Sequence, residues 1–422
     1  MTEPTLSASK TGTAAPLAGS LLRQAVVGRL RLLRQGWLQV REGESVMVFG
    51  DRLSPLRAVI EVRDEAVWGL VACNGSIGAG EAYIQGYWSS PDLAAVTRLF
   101  VANLDALDAL EGGLARLGRP ALKLLHWLNR NSRRGSQRNI MAHYDLGNDL
   151  FERLLDPTLM YSSAIFSSPE QSLEQAQLQK LDVICRKLEL RPEDHLLEIG
   201  TGWGSLALYA ATHYGCRVTT TTLSREQYAC AERRIRECGL EGRVTLLLED
   251  YRDLRGRFDK LVSIEMIEAV GHRYLPEYFR CCAALLKDDG LMLLQAITIR
   301  DQRYEQACRS VDFIQRYIFP GGALPSITVL LQTATHHTGL NLVQLEDFAT
   351  DYARTLRHWR ENLRQARAEL LELGYDEQFQ RLWEFYLCYC QGGFEERAIG
   401  VAHLLWAGPG ARKAALVDHL EA

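Results

Sequence analysis

The chain has 422 residues, 47% apolar and 24% charged, with a net charge of -4, the composition of an ordinary globular protein and not of a disordered or fibrous one. At about 150 residues per domain the length predicts two or three domains. The small negative charge gives no basis for nucleic-acid binding, and no stretch reaches the roughly 18 uncharged apolar residues that a membrane span requires.

Residues 1–20, rich in Ser, Thr, Ala and Pro, read as a disordered lead-in. Residues 21–41 interleave Leu21, Leu22, Val26, Val27, Leu30 and Leu33 with Arg23, Arg29, Arg31 and Arg34. That is an imperfect helical period ending near Gly36, greasy on one face and basic on the other. From Ser45 to Trp88 the pattern changes to short β-type runs, Val46 to Phe49 and Ala58 to Val62, broken by Gly75, Gly78, Gly80 and Gly86. A helix from about Pro91 to Leu110 completes a small α+β module over 21–110.

Residues 111–135 read as a basic linker. No acidic residue lies between Glu111 and Asp145, whereas Arg116, Arg119, Lys123, Arg130, Arg133, Arg134 and Arg138 form a cationic strip. Residues 136–410 then alternate helix and strand: helix 172–188, strand 195–199, helix 204–213, strand 216–222, helix 224–238, strand 243–248, strand 259–264, helix 274–286, strand 291–297. This order predicts a doubly wound, Rossmann-like α/β domain, followed by a tail over 411–422. The ten cysteines lack paired spacing and follow no secretory leader, which fits a reducing, cytoplasmic setting. Cys388 with Cys390, and His336 with His337, each fall short of a four-ligand zinc set, so no metal is expected.

The chemistry starts at Glu198-Ile199-Gly200-Thr201-Gly202-Trp203-Gly204, where a short strand runs through glycines into a helix. Such a loop lets backbone approach a nucleotide-like ligand at the switch point of a parallel sheet. A dinucleotide fingerprint would need glycine at 205, where Ser205 stands, because the third glycine comes one residue early. The E-x-G-x-G-x-G form resembles instead the first motif of class I methyltransferases, which use S-adenosylmethionine. Leu248-Glu249-Asp250-Tyr251 and Leu285 to Gly290 follow in the order such enzymes show.

Three further runs carry a narrower resemblance: His143 to Asp149, Met160-Tyr161-Ser162-Ser163-Ala164, and Tyr317-Ile318-Phe319-Pro320-Gly321-Gly322. Together they resemble cyclopropane-fatty-acyl-phospholipid synthases over residues 136–405, and Gly78 to Trp88 looks like the lipid-binding N-terminal module of the bacterial enzymes. The resemblance implies methyl transfer to a cis double bond of an unsaturated phospholipid acyl chain, through a carbocation that closes to a cyclopropane. It implies cofactor contacts from Tyr161, Ser162, Gly200, Gly202, Thr222, Leu223, Gln227, Asp250 and Tyr251, and a substrate pocket including Tyr317 and Phe319. A bound bicarbonate is the implied base, held by Glu268, Tyr352, Cys390 and the residues at 163 and 295.

Two of those positions depart from the pattern: Ser163 replaces a common cysteine, and Gln295 a common histidine. A backbone N–H at 163 and a glutamine amide can still donate to an anion. Proton loss from a neighbouring carbon would leave a methyl or methylene branch instead of a ring. A small-molecule methyltransferase and a non-catalytic lipid-binding protein are the other readings. Peripheral association with the inner face of the cytoplasmic membrane, through segment 21–41 and the cationic strip, and a homodimer complete the expectations.

Overall fold

The computed structural model describes residues 16–104 and 147–412. The chain divides into two compact units at Arg119/Pro120. The expected linker and cationic strip lie outside the described residues.

The first unit contains α1 (Pro16–Leu30), β1 (Trp37–Glu42), β2 (Ser45–Gly50), β3 (Arg57–Val62), α2 (Ala66–Ile84), β4 (Trp88–Ser89) and α3 (Leu93–Ala102). Its sheet has the order β2-β1-β3-β4, with β1 antiparallel to β2 and parallel to β3. Three expectations change. Pro16 already opens α1, as its fixed φ allows at a first helical position, so the lead-in ends sooner. The helical period expected to run to about Gly36 stops at Leu30, and from Trp37 the chain is a strand in which Leu38 and Val40 alternate into the core. Of the glycines read as strand breakers, Gly75, Gly78 and Gly80 lie in α2, which bends at Gly75 (φ 58), and Gly86 follows its C-cap. Arg23 of the basic face is ion-paired to Glu42 at 2.7 Å, and Trp68 Nε1 donates to the same carboxylate, tying α1 and α2 to β1.

The second unit runs α4 (Asn148–Leu154), α5 (Leu173–Lys187), β5 (His195–Ile199), α6 (Ser205–Tyr209), β6 (Arg217–Thr221), α7 (Arg225–Glu237), β7 (Val244–Leu247), β8 (Phe258–Ile264), α8 (Leu275–Leu285) and β9 (Leu286–Ile299). It continues with α9 (Asp301–Ala307), α10 (Phe313–Tyr317), α11 (Ile327–His337), β10 (Asn341–Asp347), α12 (Ala349–Gln365), α13 (Arg367–Glu372), α14 (Glu377–Glu395) and β11 (Ile399–Ala407). The seven-stranded sheet has the order β10-β11-β9-β8-β5-β6-β7. Strands β5 to β9 are mutually parallel where they pair, and β11 is antiparallel to β9 and β10.

Successive strand residues point to opposite faces, so the sheet carries two cores. Leu197, Leu261, Met292 and Leu294 pack with Tyr278, Phe279 and Cys282 of α8 on one side. Leu196, Val218, Val262 and Leu293 pack with Leu181 and Ile184 of α5 on the other. A single row of the register crosses β8, β9, β11 and β10. In it Ile264 of β8 pairs with Gln295 of β9, Gln295 with His403 of β11, and His403 with Glu346 of β10.

Candidate active site

At the carboxyl end of β5 the glycine loop turns with φ of 101° at Gly200, 54° at Gly202 and 90° at Gly204, values that favour glycine. A Cβ added at Gly202 would meet no protein atom within 4 Å, so the loop borders open space. All nine residues expected to contact the cofactor, from Tyr161 to Tyr251, line one cleft there. Thr222 Oγ1 donates to Gln227 Oε1 at 2.8 Å, and Arg252 holds the Asp250 carboxylate. Glu198, where β5 meets the loop, accepts from Thr220 Oγ1 at 2.6 Å, and burial pushes its carboxyl up to about 8. The glycines and polar edges thus fit an elongated nucleotide-like donor such as S-adenosylmethionine.

The opposite wall is the Met160 to Ser163 segment, held by α5. A capping box between Ser172 and Gln175 starts that helix. Its inward stripe then carries polar groups. Gln177 Nε2 donates to the Ser162 carbonyl at 2.9 Å, and Lys180 Nζ donates to Ser162 Oγ at 2.7 Å. Lys180 is fully buried, and burial lowers it to about 7 against the attraction of Glu265 and Asp156. The Tyr161 ring lies 5.2 Å from Trp359, 5.3 Å from Phe151 and 6.4 Å from Phe319, and its hydroxyl is 3.0 Å from that of Tyr386.

Between that wall and the sheet stands Glu265, immediately after β8 and at the edge of the cleft. Its Oε1 accepts from the Ser163 backbone N–H at 3.0 Å and from Gln295 Nε2 at 2.8 Å. Its Oε2 accepts from the Tyr352 hydroxyl at 2.6 Å. The Ser163 hydroxyl turns away to the Ala164 carbonyl, so only the backbone at 163 faces the carboxylate. Burial raises the Glu265 pKa, opposed by those donors and by Lys180. The Tyr352 ring stacks 4.4 Å from Phe394.

The structure therefore brings Ser163, Gln295 and Tyr352 together, but around a carboxylate of the chain itself. Bicarbonate does not fit this set, because the donors it would use already point at Glu265. Glu268 stands apart from these hydrogen bonds: its Oε1 accepts from the Ile297 N–H at 2.5 Å, and its buried Oε2 lacks a hydrogen-bond partner among the described residues. Burial, with Glu265 nearby, pushes Glu268 up to about 8. Cys390, on α14, has Asp312 and Cys388 as its electrostatic neighbours and is raised by burial, so it is a protonated thiol and belongs to neither carboxylate set. Phe319 reaches Tyr161, whereas Tyr317 packs on Phe313 at 5.2 Å with Arg316 above its ring.

Glu265, Lys180, Lys187, His403 and Trp359 escaped the sequence reading, although signals existed. Glu265 directly follows a parallel strand, where ligands of such sheets bind. Leu173, Gln177, Lys180, Ile184 and Lys187 form one helical stripe, and two lysines inside a core-facing stripe demand partners. His403 sits in the otherwise apolar run of β11, buried to 1% exposure.

Residues 131–404 match the family described as mycolic acid cyclopropane synthetase. The chain is 38% identical over 357 residues to tuberculostearic acid methyltransferase UfaA1 of Mycobacterium tuberculosis, covering 80% of each protein. It is 37% identical over 345 residues to cyclopropane-fatty-acyl-phospholipid synthase of Escherichia coli, covering 81% of this chain and 86% of that one. Mycolic acid cyclopropane synthase CmaA1, in a structure complexed with SAH and CTAB, superposes with a TM-score of 0.61 at 31% identity, over 64% of this chain and 98% of that one. The order of the seven-stranded sheet, the glycine loop and these likenesses agree: the chain belongs to the mycolic acid cyclopropane synthetase family and is an S-adenosylmethionine-dependent methyltransferase of the class I fold.

Proposed function

We propose that the protein methylates a cis double bond in an unsaturated acyl chain of a membrane phospholipid. The observation that carries this reading is the meeting, at one end of the cofactor cleft, of an aromatic wall with a buried carboxylate. S-adenosylmethionine supplies an electrophilic methyl on a sulfonium. An alkene is a weak nucleophile, so the site's part is alignment, which can contribute on the order of 7 to 11 kcal/mol. The resulting cation needs a dry pocket with π faces, and Tyr161, Phe319, Tyr352 and Trp359 offer them.

Two products can arise from one cation. Proton loss from the new methyl closes a cyclopropane, our first reading. Proton loss from a chain carbon leaves a methyl-branched alkene, and a hydride shift followed by proton loss from the methyl leaves a methylene branch. The altered anion set at Ser163, Gln295 and Glu265 favours this second, branched reading, as does likeness to a protein named for tuberculostearic acid. Access would be peripheral, at the inner face of the cytoplasmic membrane. The basic residues from Arg116 to Arg138 suit an anionic surface, each worth about 1 kcal/mol near it, and two associated copies would double that strip.

The test is incubation with vesicles of unsaturated phospholipid and methyl-labelled S-adenosylmethionine. Label should enter the acyl chains, and a proton spectrum of the esters then separates ring from branch. Label found only on soluble amines, or no transfer at all, sinks the reading.

A further inference from the structure

We infer that Glu265 is the proton acceptor of this reaction, a carboxylate built into the chain where an outside anion would otherwise sit. The inference rests on the alkene-methylation reading above. Ser163 N–H and the Gln295 amide converge on Oε1, and the Tyr352 hydroxyl on Oε2. All three donate, an arrangement suited to an ionised carboxylate. A second anion at those donors would meet the charge of Glu265 at contact distance in a poorly screened site.

The surroundings keep a single negative charge there. Glu268 is held in its protonated form near neutral pH, and Lys180 lies close enough to Glu265 to attract it. The backbone supports the same assignment. Glu265 has φ 47, a left-handed conformation that a non-glycine residue holds only where its surroundings enforce it. That conformation sets the carboxylate at the end of β8 beside the cleft wall formed by Tyr161 and Ser162.

The proton transfer balances. A C–H bond of the acyl cation breaks, and its electron pair becomes either the last C–C bond of the ring or the π bond of a branched alkene. The proton passes to Glu265, so cation and carboxylate are both neutralised, and the acid then releases the proton to water.

Two variants test the inference. Glu265→Gln keeps the shape and removes the base. Glu265→Gly accepts the left-handed backbone without strain and opens a gap among the same donors. Carbon-13 bicarbonate titrated into the protein, with neither lipid nor methyl donor, should leave wild type unbound and bind Glu265→Gly. On phospholipid vesicles in carbon-dioxide-free buffer, wild-type turnover should not respond to added bicarbonate. Glu265→Gln should lose about 100-fold or more, and Glu265→Gly should regain at least about tenfold of its lost rate with bicarbonate.

Bicarbonate binding to wild type, failure to bind either protein, a wild-type rate that depends on bicarbonate, or full turnover by Glu265→Gln would each overturn the assignment. The titration needs no turnover, so it judges the place of the carboxylate separately. Wild type that binds S-adenosylmethionine yet leaves the vesicles unmethylated overturns the alkene reading and with it the proton step.

Discussion

Nε2 of His403 stands 3.0 Å from Oε1 of Gln295, and the sheet imposes that contact, since the two residues pair directly across β11 and β9. Lys187 Nζ lies 3.0 Å from Nδ1 of the same imidazole and is ion-paired with Glu346. An ammonium only donates, so Nδ1 accepts and the ring proton sits on Nε2. Burial, then the charges of Lys187 and Lys180, hold His403 well below its ordinary pKa, so the ring is neutral. The result is a string of donors in one direction, from Lys187 through His403 and Gln295 to Glu265.

His403 is therefore a positioning residue. His403→Ala should lower kcat by about tenfold and leave the KM for S-adenosylmethionine unchanged, while unfolding stability falls by about 1–3 kcal/mol for the buried partners left unpaired. His403→Gln, which can still donate to Gln295, should recover part of kcat. Equal losses of kcat in the two variants, or a loss confined to stability, would remove the positioning role.

Tyr352 donates to the charged form of Glu265, which favours ionisation. Its removal in Tyr352→Phe should raise the Glu265 pKa further. A base works deprotonated, so the acid limb of the kcat profile should move to higher pH. A fall in kcat with an unmoved limb would argue that Tyr352 acts only by packing.

Lys180 titrates at about 7 in the folded protein and near its ordinary 10.5 once exposed. Between those values the unfolded chain binds a proton that the folded chain does not. Stability should therefore rise with pH through that window and be lost as pH falls through 7. Lys180→Met should flatten that slope, read from urea midpoints across the window. A slope that persists in the variant would assign it to another group.

Gly202 borders the cofactor cleft with φ 54 and open space where a Cβ would stand. Gly202→Val introduces left-handed strain of about 1–2 kcal/mol and places a branched side chain beside the donor. Calorimetry should show S-adenosylmethionine affinity falling by about tenfold or more, each factor of ten being about 1.4 kcal/mol. Unchanged affinity in a folded variant would move the donor away from the loop.

The local signals were legible because they are short. Strand β5, its glycine loop and the start of α6 are contiguous, and the early third glycine at Gly204 separates this loop from a dinucleotide site without reference to the rest of the chain. The helices and strands from 172 to 297 were equally plain, since burial of one face repeats at the period of each element. The first unit was harder: a glycine-containing helix, α2, mimics broken strands until its packing is known.

The polar pairing was another matter. Ser163 and Tyr352 lie 102 and 87 residues from Glu265, and hydrophobic periodicity records which face is buried but not which buried polar groups meet. Sequence alone determined the donor loop and the family motifs around it. Tertiary structure decided the anion site, because the order β8-β9-β11-β10 sets Ile264, Gln295, His403 and Glu346 in one row. Glu265, one residue beyond that row and turned by its left-handed backbone, takes the donors that the motif residues alone had left for an outside anion.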